Sequence, residues 1–381
     1  MTPLTVLHVN TEHGFRGGEI QNLHLAEGLS RRGHRCILAL QEESALGERA
    51  EERGLDVRRR PMQGEFDPMA VAWLSGLIQQ ERPHVMHYHT SHAVTLGTLA
   101  RLGRRGPTTV ATRRTSFPTR RNPLFRLKFS YRLDHVIAVS GSIKKDMVDA
   151  GLPPVHISVV HSGIDLERFR QQADGTEFRR ELGVGPDELL LGCVGALAPQ
   201  KGHEHLLRAM AALSPAFPHL HLALLGEGDR QEYILDEARN LGIGDRVHLA
   251  GFREEIPEAN AAFDVAVLPS VAGEGSPAVV KEAMAMGVPV VATRIGGVGE
   301  ILEHDRQGLL VPPDDEAALA DALGSLLRDP ERRRTLGAAG RSRVEAFSME
   351  QMIRRTEDVY KRLCGTEKGT GAATAPRTGK P

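Results

Sequence analysis

Cysteine is scarce in this chain of 381 residues: Cys36, Cys193 and Cys364 stand far apart, odd in number and without metal-site spacing. Such a set excludes a disulfide framework and fits free thiols in a reducing compartment. No run of 18 apolar residues occurs, which excludes a membrane-spanning helix on length. The opening Met1-Thr2-Pro3-Leu4-Thr5-Val6 lacks the basic and apolar regions of a secretory signal, so a cytoplasmic protein is expected. The first strand-to-helix turn carries Gly14, Gly17 and Gly18, a spacing that does not match G-x-G-x-x-G and disfavours a dinucleotide-dependent dehydrogenase. No internal repeat is evident.

What is present is ordinary for a globular protein: 40% hydrophobic residues, 25% charged residues and a net charge of −1. At about 150 residues per domain the length suggests two. Apolar β-branched runs alternate with amphipathic helical patterns in both halves, the pattern of parallel α/β sheets. The expected first domain covers residues 1–165, with strands near Leu4–Val9, Arg35–Leu40, Val85–His89, Thr108–Thr112 and Asp134–Val139. A helix is expected over Gly17–Arg32, with Ile20, Leu23, Leu25, Ala26 and Leu29 on its apolar face. Residues 166–187 are polar and read as a linker, residues 188–347 as the second domain, and residues 348–363 as a final helix. The tail 364–381, rich in Gly, Thr, Ala and Pro, is expected to be disordered.

The densest chemistry lies between Glu274 and Ala292. Ser276 is a good N-cap and Pro277 suits the first helical position, so a helix is expected to start there. Glu274 precedes it, and Gly275 lets the backbone come close to a ligand. The N–H groups of Ser276, Ala278 and Val279 would face off the helix end, an anion site. Glu282 follows on the helix, and Gly287-Val288-Pro289 ends it before the buried strand Val290-Val291-Ala292.

This Glu-x7-Glu spacing, followed by Glu282-Ala283-Met284-Ala285-Met286-Gly287-Val288-Pro289-Val290-Val291-Ala292, resembles the signature of glycosyltransferase family 4. The resemblance extends to about Leu363. It implies a GT-B fold, with two Rossmann-like doubly wound α/β domains facing across a cleft and a C-terminal helix crossing back to the first. It implies retaining transfer from a nucleoside-diphosphate sugar, UDP- or GDP-linked, with neither cofactor nor metal. Glu282 would hold the ribose hydroxyls and Glu274 a hydroxyl of the sugar, through charge-assisted hydrogen bonds. Gly17 and Gly18 would let the first domain approach the donor diphosphate or the acceptor. Lys201, in Gly195-Ala196-Leu197-Ala198-Pro199-Gln200-Lys201-Gly202, would neutralise the diphosphate.

Two departures from the family pattern matter. Val110-Ala111-Thr112-Arg113-Arg114 has arginine where relatives carry a histidine that touches the donor sugar. Ala196 replaces an arginine that assists Lys201. Arg114 or Arg16 are the expected replacements for the missing charge, and a guanidinium fork suits a phosphate or an anionic acceptor. Phe252 or Arg253 would border the base. His87 and His89 share a strand face without a third ligand in sight, which reads as site lining or packing rather than metal. Asp314-Asp315 reads as a helix start rather than a metal pair.

Residues 101–133 hold ten basic side chains and no acid, interleaved with Leu124, Phe125, Leu127, Phe129 and Tyr131. Peripheral contact with an anionic membrane surface is the expected use, placing the protein at the inner face of the membrane. Arg113-Arg114-Thr115-Ser116-Phe117-Pro118 and Glu274-Gly275-Ser276-Pro277 are similar to bacterial members that build lipopolysaccharide core, so a glycan or lipid-linked acceptor is expected and nucleic acid is not. The competing readings are an epimerase on the same fold and a noncatalytic glycan- or membrane-binding relative. Intact Lys201, Glu274 and Glu282 weigh against the last.

Overall fold

The computed structural model of the chain describes residues 2–103, 106–115, 129, 133–170 and 173–365. Most of the basic segment, and the tail from residue 366, lie outside the described residues. The membrane-contact and tail expectations fall there.

The first sheet has strands β1 (Thr5–Asn10), β2 (Arg35–Leu40), β3 (Asp56–Arg59), β4 (Val85–Tyr88), β5 (Thr108–Arg113), β6 (His135–Ala138) and β7 (Ile157–Val159). Their order is β3-β2-β1-β4-β5-β6-β7. The second has β8 (Leu189–Val194), β9 (Leu220–Leu225), β10 (Val247–Gly251), β11 (Val265–Leu268), β12 (Val290–Thr293) and β13 (Gly308–Val311), ordered β10-β9-β8-β11-β12-β13. All these strands pair in parallel. Parallel strands need crossovers, which the helices supply while covering both faces; hence the near-continuous apolar strands. In both sheets the order reverses at one point, between β1 and β4 and between β8 and β11. The crevice beyond the carboxyl ends at such a point is where open α/β sheets bind ligands.

The helix Gly17–Arg31 buries Leu23, Leu25, Ala26 and Leu29, but Ile20 stays 37% exposed rather than on the apolar face. Residues 166–187 differ from the polar linker expected. They form helices Leu166–Arg170 and Thr176–Leu182, and Phe169 and Phe178 are buried in the second domain's core with Ala259, Phe263 and Val280. Two phenylalanines in a polar stretch suffice to dock it, each worth about 1.5–3 kcal/mol when buried.

The chain passes between the domains twice, and the two crossings are tied together. Ile164 N–H donates to Phe347 O at 3.0 Å, and Met349 N–H to Ile164 O at 2.8 Å. The Gln21 amide clamps Gly163 with two bonds of 2.8 Å. Ser348 then caps helix Met349–Leu363 by accepting from Gln351 N–H. That helix returns to the first domain, as the GT-B resemblance implied, burying Met352, Ile353, Val359 and Tyr360 in the same cluster as Leu25 and Leu29. Asp315 accepts from Ala318 N–H at 2.9 Å, a helix cap. Among the described residues no helix is long and apolar enough to cross a membrane.

Candidate active site

The loop after β11 and the turn after β8 together build one wall. Glu274 is buried at 6% exposure, and its Oε1 accepts from Ser270 Oγ at 2.7 Å and Lys201 Nζ at 2.6 Å. Lys201 reaches it from the short 3-10 turn Pro199–Lys201, beyond the carboxyl end of β8. The carbonyl of Glu274 accepts from Gly297 N–H, and Gly296, at φ +49°, lies so close that a Cβ there would meet that oxygen at 1.7 Å. The acid is therefore fixed through backbone and side chain before any ligand arrives. An ammonium group has three donors, so Lys201 can hold Glu274 and still donate to a second anion.

The following helix runs Ala278–Met286, with Pro277 as its N-cap and no capping side chain. This corrects the expected start at Ser276. Pro277 has a ψ of 122°, extended rather than helical, so the first helical residue is Ala278, and the Ser276 hydroxyl is engaged by Lys281 Nζ at 3.1 Å instead of capping. The first-turn N–H groups of Ala278 and Val279 have no carbonyl one turn before them inside the helix, as at any helix start. Lys281 is fully buried and also donates to Ser162 O at 2.6 Å, joining the motif helix to the interdomain connector. Burial pushes its amine down to about 7. Glu282, one residue on, is half-buried, and burial raises its carboxyl to about 6 against the opposing pull of Lys281 and Arg168. Arg168 comes from the segment read as a linker.

The first domain supplies the opposite wall. Gly17 and Gly18 open the helix after β1, and the Arg114 side chain packs over Gly18, 3.6 Å from where a Cβ would stand. Glu19 accepts from Arg16 N–H and Asn10 Nδ2, which stiffens this turn. Half-buried Arg114 donates from Nη1 to His89 O and from Nη2 to His89 Nδ1, both at 3.3 Å. Burial lowers its guanidinium to about 10, while Glu19 pulls the other way. The expectation that Gly275 admits a ligand is corrected here. A Cβ at Gly275 would lie 2.2 Å from the Arg114 carbonyl oxygen, so the missing side chain admits the backbone of the other domain.

This contact brings Arg114, Gly18 and Gly275 together, and Lys201 and Glu274 join through Gly275's own loop. Arg16 makes no side-chain contact to this group among the described residues. Exposed Phe252 stands free, whereas Arg253 is taken by Glu181 at 2.8 Å and by Ala250 O at 3.1 Å. Glu300 accepts from Gly141 and Ser142 N–H at 2.7 and 3.0 Å. It thereby caps, across the domain boundary, a helix whose own cap is Ser140.

His87 and His89 do have a third neighbour. His8 pairs with His87 in the β1–β4 register, and ring nitrogens of all three lie within 4.8 Å. The set does not suit a metal ion. His87 is already engaged at both nitrogens, by Tyr360 OH at 2.5 Å and Thr112 Oγ1 at 2.7 Å, and a guanidinium already occupies the site's flank. A divalent cation beside a buried arginine, with no carboxylate ligand in the set, would add repulsion to desolvation.

Two open parallel sheets, each offering its carboxyl-end loops to a shared crevice, with a buried acid held by a half-buried lysine on one wall, have the GT-B architecture. The chain matches the models described as Glycosyltransferase Family 4 over residues 15–168 and Glycosyl transferases group 1 over residues 174–343, and it belongs to that family of glycosyltransferases. It is 32% identical, over 240 residues, to the lipopolysaccharide core biosynthesis mannosyltransferase LpsB of Rhizobium meliloti, covering 61% of this chain and 66% of that protein. Across the curated relatives, the matched stretch spans 51% to 66% of the first three proteins' lengths. A glycosyltransferase of Rickettsia africae has the same fold at a TM-score of 0.87 and 17% identity, covering 96% of this chain and all of that one. The HepE protein of Anabaena, solved in complex with UDP, aligns at 0.84 and 22% identity over 94% of this chain and all of that one.

Proposed function

We propose that this chain transfers a glycosyl group from a nucleoside-diphosphate sugar to an acceptor hydroxyl, with retention of configuration and without a metal ion. The observation that carries the reading is buried Glu274 paired with half-buried Lys201, at the carboxyl ends of the second sheet. Lys201, the first-turn amides of Ala278 and Val279, and Arg114 from across the cleft would take up the charge that develops on the departing diphosphate. Preorganised groups of this kind are usually the largest single catalytic contribution. Glu274 would hold a sugar hydroxyl, and Glu282 the ribose hydroxyls. Gly17 and Gly18 would leave room for the donor against the first domain, opposite Ser276 of the second.

In the step proposed, the bond between the anomeric carbon and the β-phosphate oxygen breaks. The acceptor oxygen forms its bond on the same face, and its proton passes to the departing phosphate oxygen. No protein base is required. The acceptor would enter from the first domain, where Thr11, His13, Glu42, Glu43, Glu65 and His92 line a cavity of about 610 Å³ at the carboxyl ends of β1 and β2. The LpsB relative's name supports a cell-envelope glycan or lipid-linked acceptor, and the UDP complex of HepE supports a UDP-linked donor. Work at the cytoplasmic membrane face, through the basic segment 101–133, belongs to the same proposal.

The test is thermal stability against UDP-, GDP- and ADP-sugars, because a ligand that binds only the folded chain raises its melting temperature by mass action. Stabilisation by one nucleotide series, lost in Glu282→Ala, is the expected result. No response to any series would overturn the reading.

A further inference from the structure

Among the described residues Arg114 is held by His89, through its carbonyl oxygen and Nδ1, rather than by a carboxylate. We propose that His89 and His8 form a neutral hydrogen-bond relay that aims the Arg114 guanidinium at the donor, making both histidines positioning residues. The inference rests on the transferase reading above.

The proton positions follow from the donors. A guanidinium only donates, so His89 Nδ1, facing Arg114 Nη2 at 3.3 Å, must present its lone pair. A neutral imidazole then carries its proton on Nε2, which lies 3.0 Å from His8 Nδ1. His8 Nδ1 therefore accepts, and the His8 proton resides on Nε2, a buried atom with no partner. A protonated His89 would turn its Nδ1 into a second donor against Arg114. Burial works against that state: it pushes His8 down to about 3 and holds His87 and His89 well below the usual histidine range.

The relay is braced from behind. The His89 ring lies 27° from the plane of His8 with centroids 5.3 Å apart, and packs against His87 at a 38° tilt with centroids 4.1 Å apart. His87 is clamped between Thr112 and Tyr360 of the crossing helix. Each terminal nitrogen of Arg114 spends one N–H on His89, which leaves one N–H on each for a ligand in the plane of the fork. Both bonds to His89 are long, as catalytic contacts in ligand-free sites commonly are. Neutral acceptors orient the guanidinium without cancelling its charge, as a carboxylate partner would. That leaves the full charge for a phosphate.

A double-mutant cycle on the full chain tests this. His89→Leu is expected to lower kcat by about 100-fold with donor KM changed less than about threefold. His89→Asn, whose Oδ1 can stand where Nδ1 accepts, is expected to recover most of that loss. In an Arg114→Ala background, His89→Leu should cost less than about threefold more, because its effect runs through the arginine. His8→Leu should follow His89→Leu in smaller measure. Equal losses in both backgrounds, or His89→Asn as poor as His89→Leu, overturn the relay. If the leucine variants do not fold, nitrogen NMR of the wild-type chain decides. The proton on Nε2 of both His89 and His8 supports the relay; a proton on His89 Nδ1 overturns it. Retained stabilisation by UDP-sugar with an uncoupled cycle refutes the relay alone, whereas loss of nucleotide binding in the wild type refutes the transferase reading and leaves the NMR result to judge the histidines.

Discussion

Lys201 Nζ stands 2.6 Å from Glu274 Oε1, so the cation proposed to meet a diphosphate and the acid proposed to hold the sugar are bonded to each other. Each fixes the other's position, and donor arrival adds partners rather than rearranging the wall. Lys201→Ala is expected to lower turnover by about 10²–10³-fold, the usual cost of one preorganised charge. Stability should fall by only about 1–3 kcal/mol, since Lys201 keeps 25% of its side-chain surface in water and solvent screens the pair. Steady-state kinetics beside urea unfolding reads both; near-normal turnover would remove Lys201 from the mechanism.

The carboxyl of Glu282 is raised by burial to about 6. Above that pH it is ionised and accepts from hydroxyls; as pH falls through it, the proton removes an acceptor. Affinity for a nucleotide sugar is therefore expected to decline below pH ~6, and Glu282→Gln should be weaker throughout and flat with pH. Calorimetric titration between pH 5 and 8 checks this. A nucleotide sugar is the right probe, because its diphosphate is esterified at both ends and does not itself titrate there.

Gly275→Ala puts a methyl group where the Arg114 carbonyl lies 2.2 Å away. Backbone cannot yield as a flexible side chain does, so the domains should part at this point. A stability loss of about 1–3 kcal/mol and at least about a tenfold fall in transfer are expected, with nucleotide binding by the second domain retained. Small-angle scattering should show a wider particle; an unchanged profile with full activity would mean that the contact does not set the closed arrangement.

Glu300→Ala removes the acceptor for Gly141 and Ser142 N–H. Loss of a cap of this kind costs about 1–2 kcal/mol. Hydrogen exchange should quicken at these two amides, while Ile143 N–H stays protected by the Ser140 hydroxyl. Uniform quickening across the helix Gly141–Asp149 would contradict a local cap.

Glu357 on the crossing helix receives Arg32 at 2.7 Å, His34 at 3.0 Å and Lys361. Burial by itself would raise its carboxyl, but the bonds from Lys361, His34 and Arg32 outweigh that and bring it down to about 2. A folded value below the unfolded one stabilises above pH ~4.5, and that contribution is lost as pH falls towards 2. It amounts to about 3 kcal/mol. Glu357→Gln should be less stable by about that much at neutral pH and should lack this acid-side loss in denaturant titrations. Equal acid profiles for the two proteins would place the anchor elsewhere.

Much of this molecule is written locally. Alternating apolar runs and helical periods specify two parallel sheets, since a parallel strand needs an apolar run and a crossover within a short length of chain. The acids eight apart are legible for the same reason: loop, helix start and helix face are consecutive. Arg114 stood out as a departure from a pattern, and Lys201 by its place at a turn after a strand.

What sequence alone left dark is what depends on strands meeting. His8 lies 79 residues before His87, yet the β1–β4 register sets them side by side, and a doubly wound order would have been the one clue. Ser276 was read as a cap because local preference favours it, but Lys281 competes for its hydroxyl. Phe169 and Phe178 lie in the stretch whose polarity reads as a linker, yet both are buried in the second domain's core. The sequence by itself determined the fold class and the motif, because those depend on residues a few positions apart. Only the tertiary structure decided that Gly275 serves the Arg114 backbone, that Glu300 caps a helix of the other domain, that Lys201 meets Glu274, and that His89 holds the arginine. Such contacts are selected by packing between distant segments, and no local preference encodes them.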